Sequence, residues 1–150
     1  AGEVPDGWYT HGRAGKQDLD TGNVIQMTDS WDTAEQYAGS NGSQWMIAPS
    51  DDAVVGDMTD SDKRSEIAAK FFDDYKTGKL SPALDDIASI ATQEEIADQL
   101  NPSKIVSSAE LWDDRDFAAW ASDRAAIDFV KVDSGAIVLN KDKMKSKKVE

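Results

Sequence analysis

The residues of this chain with the most chemical reach lie around its only histidine. His11 is followed at once by Gly12, whose missing side chain lets main chain come close to a ligand. Arg13 and Lys16 add positive charge suited to a pyrophosphate. Thr28 ends a strand-like run, Val24-Ile25-Gln26-Met27-Thr28, and Tyr37 offers an aromatic face on which a flat ring can stack. Taken singly, His11 reads as a surface histidine and Tyr37 as a core residue. Taken together, they suit a nucleotide.

Other chemistry is scarce. The chain has no cysteine, so it has neither disulfide nor thiolate metal framework, which fits a reducing compartment. One histidine leaves no paired-imidazole spacing for zinc. Asp51-Asp52 and Asp113-Asp114 are oxygen donors without a calcium-loop pattern, so no metal site is assigned. Phosphate loop, dinucleotide-fold glycine motif and nucleophile elbow are all missing. No apolar run approaches the ~18 residues of a membrane span. Against 29 acidic residues stand 16 basic ones, and the net charge of −13 opposes nucleic acid or an anionic membrane as partner. Lys141, Lys143, Lys145, Lys147 and Lys148 reverse that sign locally; residues 147–150 read as a basic tail or linker start, with an electrostatic contact as the other reading. The start at Ala1 suggests a processed product or a domain cut from a longer protein.

The 150 residues amount to one domain. Residues 1–7 read as an arm and 8–146 as the domain. Trp8 to His11 is a short strand, and Gly12 to Gly15 a loop on account of its glycines. Val24 to Thr28 is a second strand. Asp29 or Ser30 caps a helix from Trp31 to Ala38, with Trp31, Ala34, Tyr37 and Ala38 on one face. Gln44 to Ala48 is a third strand, followed by an acidic connector in which Val54 and Val55 alone suit a sheet. Ile67, Ala68, Phe71, Phe72 and Tyr75 form the apolar stripe of a helix over Lys63 to Tyr75. Pro82 opens another helix, and Thr92 to Glu95 is a capping-box pattern for a third. Lys104 to Ser108 has β character. A helix over Asp114 to Arg124 turns Phe117, Trp120 and Ala121 inward, and Asp133-Ser134-Gly135 joins two β-branched runs into a hairpin. Strands, then helices, then strands make the chain α+β.

Tyr9-Thr10-His11-Gly12-Arg13 resembles the His-Gly strand of the ADP-ribosyltransferases of the diphtheria toxin and poly(ADP-ribose) polymerase type. Ile25-Gln26-Met27-Thr28-Asp29 through Ala34-Glu35-Gln36-Tyr37-Ala38 is similar to their next strand and helix, which end in Ala-x-x-Tyr. Residues 102–109, Trp112-Asp113-Asp114 and the last strand, 135–146, look like the ADP-ribosyltransferase-like domains of phage and mobile-element polyvalent proteins. The resemblance covers roughly residues 8–50 and 101–146. It implies a split, twisted antiparallel β-sandwich with surrounding helices, and NAD as substrate. It further implies that His11 binds the adenosine-side ribose hydroxyls, that the main chain of Gly12 meets the nicotinamide amide, that Tyr37 stacks on the nicotinamide ring and that Thr28 adds a hydroxyl contact. His11 and Tyr37 are then the catalytic pair. The implied activity is mono-ADP-ribosyl transfer by an effector acting on a host macromolecule, a protein by preference, in the host-cell cytoplasm, with virion delivery one route.

The chain departs from the pattern at a glutamate that usually begins the late strand. Ser134 or Gly135 stands there, preceded by Asp133, and Glu110 and Asp128 are the other acids nearby. Either transfer proceeds without that glutamate, or the domain binds without turning over. A different class of reading is an acidic, non-catalytic or virion-associated module with a degenerate transferase fold.

Overall fold

Strand pairing gathers the two ends of the chain into a single sheet around the helical middle. The computed structural model describes residues 4–13, 25–39, 42–101, 110–133 and 135–149. Its strands are β1 (Tyr9–Arg13), β2 (Ile25–Thr28), β3 (Ser43–Pro49), β4 (Val55–Asp57), β5 (Phe129–Val132), β6 (Gly135–Val138) and β7 (Met144–Val149), in the spatial order β4-β5-β6-β2-β1-β3-β7. Among the described residues only β4 and β5 pair in parallel, and the other pairs are antiparallel. The helices are α1 (Trp31–Ala38), α2 (Ser61–Lys76), α3 (Pro82–Ile90), α4 (Gln93–Gln99), α5 (Glu110–Asp113) and α6 (Arg115–Asp123). The architecture is α+β with a mixed sheet.

Local signals start and stop these helices. Ser30 caps α1, its side chain accepting from Thr33 N, and Gly39 ends it at φ 67°. Ser81 caps α3 with Pro82 in the first turn. In α4 the Thr92 hydroxyl accepts from Glu95 N at 3.2 Å while the Glu95 carboxylate accepts from Thr92 N at 3.0 Å. Asp114 caps α6, accepting from the amides of Asp116 and Phe117. Each arrangement satisfies amides that an α-helix leaves unpaired at its start.

The sheet is the wall between two cores. On one face the helices bury Phe71, Trp112, Phe117 and Trp120 against Val130, Val132 and Ile137. On the other, Ile25, Met27, Ile47, Phe129, Ala136 and Val138 form a smaller core with Tyr9, Trp45 and Met144 at its margin. Two strands, β6 and β2, lie between Phe129 and Tyr9, which in a flat sheet separates their strands by roughly 14 Å. Their ring centroids are nevertheless 5.8 Å apart. The sheet therefore curls around the smaller core on its second face.

Asp74 of α2 is fully enclosed within the helical layer. It accepts from Trp120 Nε1 at 2.9 Å and from Arg124 Nε and Nη2 at 2.8 and 3.1 Å, and Lys70 Nζ lies 3.4 Å away. These bonds, those from Arg124 foremost, outweigh burial and hold the carboxyl well below the usual carboxylate range.

Two expectations change. Gly12 and Arg13 continue β1 rather than opening a loop. Lys147 and Lys148 belong to β7, not to a tail. Val55, the part of the acidic connector expected to suit a sheet, does so, pairing in parallel with Phe129. The strand expected over Lys104 to Ser108 lies outside the described residues.

Candidate functional site

The glycine of the His-Gly pair sits under a helix. β1 runs between β2 and β3, with Thr10 opposite Thr28 on one side and Gly12 opposite Gln44 on the other. α1 packs directly on Gly12. A Cβ placed there would fall inside the carbonyl of Ala34, 2.8 Å from its carbon and 3.0 Å from Ala38 N. No side chain fits between strand and helix, so this position requires glycine for packing. Gln44 fastens the same junction: its Nε2 donates to Thr10 Oγ1 at 3.1 Å and to the Trp31 carbonyl at 3.2 Å. Thr28 turns β2 into α1, its Oγ1 accepting from Ser30 N at 3.1 Å.

This contact decides which expected site residues meet. Ala38 N is bonded to the carbonyl carbon of Tyr37, so the main chains of Gly12 and Tyr37 lie side by side at one end of β1. His11 comes with them, but strand alternation turns its side chain away from α1. It lies opposite Trp45, half-buried, on the face that also carries Tyr9. The side chains of Arg13 and Tyr37, and the whole of Lys16, lie outside what is described.

Near the other end of β1 a cleft of about 200 Å³ opens between residues 4–9, the end of β2 and the β5–β6 turn. Trp8, Tyr9, Asp29, Lys131, Asp133 and Gly135 line it. Burial raises the pKa of the Tyr9 hydroxyl, and the carboxylates of Asp29 and Asp57 raise it further. The phenol therefore keeps its proton to higher pH than a free tyrosine does, in a lining that also holds Asp29, Lys131 and Asp133. Spacing gives no sign of this cleft, because its walls come from three separate stretches of chain.

The acids considered for the late strand have other positions. Gly135 pairs with Thr28, and a Cβ on it would fall inside the carbonyl of Met27. Asp128 is structural: its carboxylate accepts from Val54 N at 2.9 Å and Asn140 Nδ2 at 3.2 Å, and its carbonyl from the amides of Leu139 and Asn140. Asp133 is exposed at the cleft, its amide donating to Asn101 Oδ1. The Glu110 side chain lies outside what is described. Asp51 and Asp52 pair with Lys145 and Lys143, and Asp114 is a helix cap. Among the described residues no three His, Asp or Glu side chains gather as a metal site, and no helix is long and apolar enough to cross a membrane.

No protein-family model matches the chain, and no match was found among curated proteins or solved structures.

Proposed function

We propose that this chain is an NAD-binding domain of the ADP-ribosyltransferase type, a split β-sandwich with flanking helices. Its reaction is mono-ADP-ribosyl transfer to a macromolecular acceptor, a protein by preference, as an effector of a phage or mobile element. The observation that carries the reading is the contact of Gly12 with α1, which brings the His11-Gly12 main chain beside that of Tyr37. Breaking the nicotinamide bond passes through an oxocarbenium-like ribose. The protein's work is then to hold the dinucleotide bent, cover the cation and admit a nucleophile. In this reading His11 donates to the adenosine-side ribose, Arg13 faces the phosphates, Thr28 offers its hydroxyl proton, and Tyr37 covers the nicotinamide ring.

Gly135 favours a second reading, in which the domain binds NAD without cleaving it. The backbone at that position leaves no room for any side chain, let alone a carboxylate that orients the ribose. Incubation with NAD, following nicotinamide release and thermal unfolding together, separates the two. Release that falls on His11→Ala and Tyr37→Phe supports transfer; a thermal shift without release supports binding alone. Neither release nor shift overturns both and leaves the acidic interaction module.

A further inference from the structure

Strand β7 ends the sheet, and among the described residues no strand pairs with its outer edge. Five lysines crowd residues 141–148 of a chain whose net charge is −13. The first part of this ribbon already holds carboxylates. Lys143 Nζ is 2.6 Å from Asp52 Oδ2, and Lys145 Nζ is 3.5 Å from Asp51 Oδ1. Both acids come from the connection between β3 and β4. The second part differs: Lys147 Nζ stands 5.5 Å from the ring centroid of Trp8 and Lys148 Nζ 5.9 Å from that of Trp45, and both lysines are exposed. Lys147 is opposite Met46 and Lys148 opposite Trp45, so the two ammonium groups flank the edge from opposite faces of the sheet.

We infer that the β7 edge docks an acidic, extended segment of a protein partner, which adds to the sheet as a further strand. Main-chain hydrogen bonds along the edge supply the attachment, and carboxylates alternating above and below the added strand meet Lys147 and Lys148. Asp51 and Asp52 provide the precedent within the molecule, binding the neighbouring lysines of the same ribbon. Pairing of two β7 edges from two copies opposes lysine to lysine and is disfavoured. Single-stranded nucleic acid needs an open aromatic face, but Lys145 and Lys147 both stand over Trp8. Lysines on an edge also discourage aggregation, and a purely protective edge binds nothing.

The test uses the whole chain, isotopically labelled, titrated with a short peptide in which pairs of consecutive glutamates, which face opposite sides of a strand, are separated by pairs of valines, and followed by amide shifts and amide exchange. The expected result is binding that shifts and protects the β7 amides, weakens with salt, and falls about tenfold in the double variant K147E/K148E, whose exposed positions leave the fold intact. A peptide with glutamine in place of glutamate should bind at least as weakly as the acidic peptide binds that variant. The inference is overturned by no binding, by equal binding of the glutamine peptide, by equal competition from a short oligothymidylate, or by self-association through the same amides.

Discussion

Gly12 and Ala34 touch main chain to main chain, and the seating of α1 on the sheet depends on that contact. Neither partner can yield as a flexible side chain would, since both belong to regular elements held by their own hydrogen bonds. Gly12→Ala must therefore displace α1 or bend β1, at a cost of about 3 kcal/mol. Urea unfolding measures it, and a variant as stable as the parent would show that the helix does not lie where described.

Gly135 makes the same kind of contact with the carbonyl of Met27. Placing a carboxylate at this point should give no gain of nicotinamide release. Gly135→Ala should lose nearly as much stability as Gly135→Glu, because the conflict begins at Cβ. An active, stable Gly135→Glu protein would contradict this.

Asp74 is held in its charged form by Arg124 and Trp120, so its pKa lies below the ordinary 3.8. A lowered carboxyl stabilises the fold above that ordinary value, and the contribution is lost as pH falls through the folded-state pKa. Asp74→Asn should cost about 3 kcal/mol near neutrality, where it leaves Arg124 without its anion. The parent and the variant should converge in stability as the solution is acidified; a constant gap would mean that the charge is not what matters.

Tyr9 shifts the other way. Its folded-state pKa is above 10.0, so the folded protein keeps a proton that the unfolded chain gives up. Stability should fall as pH rises past that value, and less so in Tyr9→Phe. Ultraviolet titration of the phenols should show one tyrosine of the parent ionising late and that late component missing from the variant.

The helical half was largely legible. The stripe through Ile67, Ala68 and Phe71, the capping box at Thr92 and Glu95, and the inward Phe117 and Trp120 are short-range patterns, and the structure buries or caps them as read. What spacing missed depends on distant partners. Asp74 interrupts an apolar face, and its reason, Arg124, lies fifty residues away. Gly12 reads as the start of a loop because a glycine beneath a crossing helix looks the same in sequence. Residues 144–149 carry no apolar alternation, and only the partner strand β3 makes a strand of them. For the candidate site, the chain order of His11, Thr28 and Tyr37 was readable, whereas the cleft at Tyr9 and the space denied at Gly135 were not.

Strand β6 belongs to both cores at once. Ile137 faces the helices, Ala136 and Val138 face the curled side, and β5 and β2 flank it. Opening either half alone still leaves this strand covered from the other direction. Its amides should consequently be the last in the molecule to trade hydrogen for deuterium, surrendering only when the entire chain unravels.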